Sequence, residues 1–141
     1  MALVADITTY LASAGLGLTV GSSGNLFAAP FPAQAPNAAV YVVEYASAPA
    51  VRAFGSSLGS PLAEVHRFQV VARDVLNNFS TLQSLAISIH NKLDHLGDTT
   101  LSGVRYLNIT GLQQPFYLGE DGNGRHTFAC NYEAVRERST S

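Results

Sequence analysis

The side chains with the greatest potential for chemistry are four histidines, one cysteine and one pair of adjacent acids. The histidines stand at His66, His90, His95 and His126. His90 and His95 are five residues apart, which turns them by about 500° around a helix and away from a common face. Neither the cysteine nor any acid completes a recognisable metal-ligand spacing. The sequence therefore favours ordinary surface or strand histidines over a metal site.

The cysteine and the acid pair also have plain structural interpretations. Cys130 is the single cysteine of the chain, so no internal disulfide can form. It falls on the apolar face of the last predicted strand, which indicates a small buried thiol and not a nucleophile. Glu120 and Asp121 fall in a predicted hairpin turn, where acids serve solubility and local turn bonds. General acid–base catalysis is disfavoured there.

Two further segments resemble known site motifs only superficially. The glycines of Gly15-Leu-Gly and Gly21-Ser-Ser-Gly do not follow a strand and open a helix, and no Gly-Lys-Ser/Thr is present. The serines near position 57 lack the Gly-x-Ser-x-Gly pattern of hydrolases. We therefore predict no enzyme, no catalytic residue, no cofactor-binding residue and no metal ligand.

Composition limits the remaining classes of function. Only 13% of the 141 residues are charged, against about 25% in an average globular protein. This fits an assembling subunit whose surface is partly covered, and equally a small soluble protein with many Ala, Ser and Gly on its surface. The net charge is −2 and Lys92 is the only lysine, which argues against direct nucleic-acid binding. No apolar run approaches the roughly 20 residues of a membrane helix, and no signal-peptide pattern opens the chain.

Hydrophobic periodicity predicts an α+β fold. We expect a mostly antiparallel or mixed β-sheet of about five strands with two helices packed on one face. The predicted helices cover 2–14 and 79–96, with Gly97 as the C′ residue of the second. The predicted strands cover 25–29, 39–45, 64–73 and 101–111, followed by a hairpin. That hairpin has its turn at Asp121-Gly-Asn-Gly and its return strand through Phe128 and Tyr132.

The expected organisation is one domain over 1–135 with a polar tail over 136–141. A long loop over 46–62 carries apolar side chains that a solvated loop would not select. Val51, Arg52, Phe54 and Leu58 either dock onto a partner or fold back onto their own sheet. We predict an interface formed by these four residues together with Glu120, Asp121, Arg136 and Arg138. The two tail arginines are expected to be solvated when they are not in that interface.

Taken together, these segments resemble the family of siphophage minor capsid or tail-terminator proteins. The resemblance runs from the opening helix ending in Gly-Leu-Gly, through Asn25-Leu-Phe and Phe68-Gln-Val-Val-Ala-Arg, to the helix with Ile89 and Leu93. Its most specific part is Gln114-Pro-Phe-Tyr-Leu-Gly-Glu-Asp-Gly-Asn-Gly-Arg with its return strand. The Ala/Ser-rich loop departs from the pattern.

The resemblance implies a structural role in the virion. Such subunits form a ring, expected to be a hexamer, that caps the tail tube at the neck and meets the head-completion proteins. DNA passes through the channel without specific binding, and assembly takes place in the host cytoplasm. The alternatives are another head–tail joining protein or a tail-tube subunit, and, more remotely, a small host enzyme or ligand-binding domain.

Overall fold

The chain is an α+β protein built on one mixed sheet. The computed structural model describes residues 3–21, 24–28, 30–31, 35–51 and 63–137. The helices are α1 (Leu3–Ala12) and α2 (Phe79–Leu93), the latter preceded by a 3-10 turn at Leu76–Asn78. The strands are β1 (Leu26–Phe27), β2 (Ala39–Val51), β3 (Ala63–Val75), β4 (Leu96–Leu101), β5 (Val104–Gly111), β6 (Phe116–Glu120) and β7 (Arg125–Glu137). Among the described helices, none is both long and apolar enough to cross a membrane.

The strand order is β1-β2-β3-β7-β5-β4, and β6 also pairs with β7. All pairs are antiparallel except β1 with β2. Strands β5 and β6 lie one after the other along the same side of β7, because β5 pairs with Tyr132 to Arg136 and β6 with His126 to Ala129. On this side of β7 the outermost strand is therefore β4 along one part of the sheet and β6 along the other.

The core lies on one face of the sheet, beneath both helices. Along β3 and β7, alternate side chains point to this face, as the strand period of two requires. The buried cluster joins α1 and α2 to the sheet through Leu3, Ile7, Leu11, Leu82, Ile89, Leu93, Val40, Val42, Phe68, Val70, Tyr106, Ile109, Phe128 and Tyr132. Phe68 and Tyr132 stack with ring centroids 5.3 Å apart. The predicted class, with two helices on one face, is confirmed, although the sheet has seven strands where about five were expected.

The opposite face is partly covered by the connector between β1 and β2. Arg73 lies 4.0 Å above the Phe31 ring centroid and donates hydrogen bonds to the carbonyl oxygens of Ala35 and Pro36. Phe31 also packs edge-on against Tyr41 at 4.6 Å. These contacts fix the proline-rich segment against the sheet and bury most of Arg73.

The end of α2 differs from the prediction. The helix ends at Leu93 and not at Leu96, and the left-handed residue that follows is His95, with φ 61°, and not Gly97. Gly97 lies inside β4, a strand that the sequence analysis merged with the helix and with β5. A turn at Ser102 and Gly103, with φ 51° and 80°, separates β4 from β5. Positive φ at both central residues is typical of two-residue hairpins.

Two other boundaries also move. Strand β2 continues to Val51, so residues 46–51, predicted as loop, are strand. The remainder of that loop, with Arg52, Phe54 and Leu58, lies outside the described residues. Strand β7 continues through Arg136 and Glu137, two residues into the predicted tail.

Candidate assembly surface

The predicted interface residues do not form one cluster in the described part of the chain. Val51 is the last residue of β2, and nothing of its side chain is described, while Arg138 lies outside the described residues. Glu120 ends β6 with an exposed side chain, and Asp121 opens the turn that follows. Arg136 lies at the far end of β7. Their role in an interface stays a prediction.

Asp121 organises the β6–β7 turn. Its Oδ1 accepts hydrogen bonds from the backbone N–H groups of Asn123 (2.9 Å) and Arg125 (3.0 Å), and its Oδ2 accepts one from Arg125 Nε (2.8 Å). The bonds from the Arg125 backbone and side chain stabilise the carboxylate and lower the pKa of Asp121. The acid is therefore committed to turn structure, as its position in the sequence predicts.

Arg136 is paired and largely buried, contrary to the solvated arginine expected from the sequence. Its Nη1 donates to the Tyr106 hydroxyl at 3.3 Å and lies 3.8 Å from Asp6 Oδ2, while its Nε lies 3.4 Å from Glu64 Oε1. Tyr106 in turn donates to Asp6 Oδ2 at 2.6 Å. This network bonds one oxygen of the fully buried Asp6 and connects α1 to strands β3, β5 and β7, while Asp6 Oδ1 has no hydrogen-bond partner among the described residues.

A second buried polar group surrounds Cys130. His90 Nδ1 lies 3.1 Å from the Tyr132 hydroxyl and 3.6 Å from Cys130 Sγ, and His90 Nε2 lies 3.6 Å from Asp94 Oδ2. The order Cys–His–Asp resembles a nucleophilic constellation, but burial raises the pKa of the Cys130 thiol. The thiol is therefore protonated at neutral pH and shielded from solvent, so the group serves packing. His90 is buried, which corrects the expected surface position.

Neither group offers a ligand site. A cavity beside Cys130 has a volume of about 10 Å³, too little for more than one water molecule. Within the described ranges, no three His, Cys, Asp or Glu side chains are placed to hold a metal ion.

The surface feature that stands out is apolar. Five large side chains lie along the side of the sheet where β6 forms the edge, each between 37% and 54% exposed. We call them the β6–α2 patch: Phe79, Ile87, Leu112, Tyr117 and Leu118. Phe79 and Tyr117 are in ring contact at 5.5 Å. Ala86, the neighbour of Ile87 in α2, lines one cavity together with Pro115, so this part of α2 lies near the connection that precedes β6.

The local sequence explains why this edge is open. Between β5 and β6 the chain leaves the ladder, and the Gln113 side-chain oxygen accepts the hydrogen bond of the Asn131 N–H at 3.1 Å in place of a strand carbonyl. Leu112 still donates its N–H to the Asn131 carbonyl at 2.8 Å. Strand β6 then pairs with β7, and no other described strand pairs with its outer side. Its outer backbone groups are therefore available to a partner.

Sequence reasoning assigned Phe79 and Ile87 to a helix and Tyr117 and Leu118 to a hairpin, and it missed the patch. Phe116, Tyr117 and Leu118 form an apolar run of three in the first strand of the predicted hairpin. Such a run has apolar side chains on both faces of the strand, which is the signal for a covered surface.

Comparison with known proteins gives a consistent assignment. A family model described as "Bacteriophage tail terminator protein" matches residues 10–138. A chain of the solved "Virion of native gene transfer agent (GTA) particle" superposes with a TM-score of 0.67, at 21% sequence identity over 97% of this chain and 96% of that chain. A second solved structure gives a TM-score of 0.56 at 12% identity, covering 97% and 92%. No curated protein matches the chain. At these identities the structural likeness shows the fold alone.

Proposed function

The chain belongs to the bacteriophage tail terminator family, and from this premise we propose that its copies close into a ring that caps the tail tube of a long-tailed phage. It is a structural protein of the phage tail, a component of the virion that assembles with other phage proteins. The proposed ring sits at the neck, where its other face meets the head-completion proteins. The ring is proposed to be a hexamer that forms in the host cytoplasm.

The observation that carries this proposal is the family match, because it spans every described strand and all of α2. The physical properties of the surface support it. The β6–α2 patch presents apolar area of the kind that subunit contacts cover. The buried polar groups are bonded to one another and do not converge on a cavity that could hold a substrate.

The mechanism is termination by closure. In a ring of head-to-tail contacts every subunit satisfies its neighbours, so the number of copies is fixed. One face of the ring binds the last layer of the tube, and the other face offers no surface for a further layer. A chain with net charge −2 and a single lysine suits a channel through which DNA passes without being held.

Electron microscopy of the purified protein, followed by a capping assay, tests the proposal. The protein alone should form rings, and rings added to polymerising tube protein should bind one end and stop elongation. Filaments from the protein alone would identify a tube subunit instead. Rings that leave tube growth unchanged would indicate another head–tail joining protein. A monomer with an enzymatic turnover would refute the structural role.

A further inference from the structure

We infer that the β6–α2 patch is the surface on which a second copy of this chain docks, and that the β1–β2 end of that copy's sheet covers it. This inference rests on the proposed ring and names the contact that closes it. The exposed apolar residues at the β1–β2 end are Val20 and Tyr45.

The size of the patch supports a subunit contact. Large apolar and aromatic side chains that are about half exposed leave roughly 80–100 Å² each, so five of them expose on the order of 400 Å². The largest apolar patch on a typical soluble monomer is about 300–600 Å² and is often functional, and the five side chains together fall in this range. A specific interface buries about 800 Å² per partner, with its apolar part at the centre. The patch is large enough to be that centre.

A comparison of the two edge strands β4 and β6 favours β6 as the edge that meets another copy. Strand β4 has the sequence Leu-Gly-Asp-Thr-Thr-Leu, with exposed Asp98 and Thr100. Charged and polar side chains of this kind protect an edge strand from pairing with other chains. Strand β6 has the sequence Phe-Tyr-Leu-Gly-Glu, and its first charge is Glu120 at its end. The β6 edge therefore lacks the charged and polar side chains that β4 carries, although a register shift between Tyr117 and Gly119 interrupts its pairing with β7.

The strand order indicates which part of the second copy covers the patch. At the level of β6 the sheet runs β1-β2-β3-β7-β6, so β6 and β1 form its two edges. Beyond the two residues paired with β1, the outer side of β2 has no described strand partner, and the exposed Tyr45 lies in this stretch. A patch at one end of the sheet and an open edge at the other give a head-to-tail contact. In an open row of copies joined in this way, the two end copies keep one free patch and one free edge until the ring closes.

The absence of charged side chains within the patch also favours a second copy. The five patch residues are uncharged, as are Val20 and Tyr45. These side chains therefore bury no ionised group of their own, while the exposed Glu44 lies next to Tyr45 and the exposed Glu120 lies at the end of β6, beside the contact.

Leu118→Glu tests the patch, because Leu118 is 54% exposed and a carboxylate there would have to be buried in the contact. The matched control is Thr100→Glu, which adds the same charge to an exposed position on β4. We expect Leu118→Glu to weaken self-association more than tenfold, measured by analytical ultracentrifugation, with an unchanged melting temperature of the dilute subunit. Thr100→Glu should assemble like the parent protein.

A cross-linking experiment tests the pairing of the two ends. The double variant Leu118→Cys with Tyr45→Cys should give a ladder of covalently joined chains with a bifunctional thiol reagent, since Cys130 is buried and shielded. Either single variant should give no ladder. Dimers from Leu118→Cys alone would indicate a two-fold contact and overturn the head-to-tail assignment, as would an unlinked double variant.

The remaining outcomes separate this inference from the proposed function. Rings of Leu118→Glu identical to those of the parent would overturn the inference and leave the ring intact. Rings that form but no longer bind the tube would assign the patch to the tube protein. A lowered melting temperature with unchanged assembly would show that the patch packs against its own chain. A parent protein that forms no ring would refute the proposed function itself.

Discussion

At the scale of single residues, Gly111 shows how the backbone accommodates the buried histidine. A Cβ built on Gly111 would lie 2.5 Å from His90 Cε1 and 3.4 Å from Asp94 Oδ1. The same carboxylate accepts the Gly111 N–H at 2.7 Å, so neither neighbour can withdraw without breaking a contact. A glycine is therefore required where β5 ends.

The substitution Gly111→Ala should lower the free energy of unfolding by about 1–3 kcal/mol, the usual cost of overpacking a filled site. Gly97→Ala is the control, because its Cβ would meet open space. Chemical denaturation of both variants measures the difference. Equal midpoints would show that the His90 ring moves aside without cost.

A second prediction at the scale of single residues concerns the buried thiol of Cys130. Because burial raises the pKa of Cys130, the thiolate fraction at any given pH is smaller than for a free cysteine. Ellman's reagent should label the folded protein at least a hundredfold more slowly than the unfolded chain at pH 8, and the rate should rise with pH. Since the chain holds one cysteine, the colour change reports a single site. Rapid labelling of the folded protein would contradict the buried, protonated thiol.

At the scale of elements, a buried hydrogen bond adds to the apolar packing that holds α1 against the sheet. Tyr106 donates to the fully buried Asp6 across 100 residues of sequence. Tyr106→Phe should cost about 1.5–3 kcal/mol, since it deprives a buried carboxylate of its nearest donor. Tyr117→Phe removes a hydroxyl bonded to His126 at an exposed position and should cost about 0.5 kcal/mol or less. Thermal unfolding of both variants measures the two costs, and equal losses would refute this ranking.

The elements also show what the sequence could predict. Both helices, the three long strands and the last hairpin follow from periodicity, because each buries one regular face. The α2–β4 boundary does not. Helical spacing continues from Leu93 to Leu96, and Gly97 offers a plausible stop. The helix ends earlier, where the Gly111 N–H donates to the Asp94 carboxylate, and no local pattern predicts that tertiary contact.

The candidate surface was harder to predict than the fold because it depends on the arrangement of the whole sheet. Exposure depends on which strand forms the edge, and the pairing of β6 with β7 alone becomes known only from the assembled sheet. The sequence analysis placed the interface in the apolar long loop together with Glu120, Asp121, Arg136 and Arg138, and that assignment stays a prediction. Arg136 shows the same limitation, because its partner Asp6 lies at the other end of the chain.

At the scale of the whole molecule, the ring should resist salt. The side chains proposed to carry the contact are uncharged, so we expect screening to weaken it little, and sodium sulfate strengthens apolar association. We expect the oligomer measured by light scattering to persist from 50 mM to 1 M NaCl and to tighten in sulfate. Dissociation at high NaCl would point to charged contacts and against the β6–α2 patch.

The central position of β7 has a consequence for synthesis in the cell. It pairs with β3 on one side and with β5 and β6 on the other, yet it is the last described strand to leave the ribosome. A nascent chain that lacks residues 125–137 holds two separate hairpins and has no strand to support β6. We therefore expect the complete sheet, and with it an assembly-competent subunit, to form only after β7 has been synthesised.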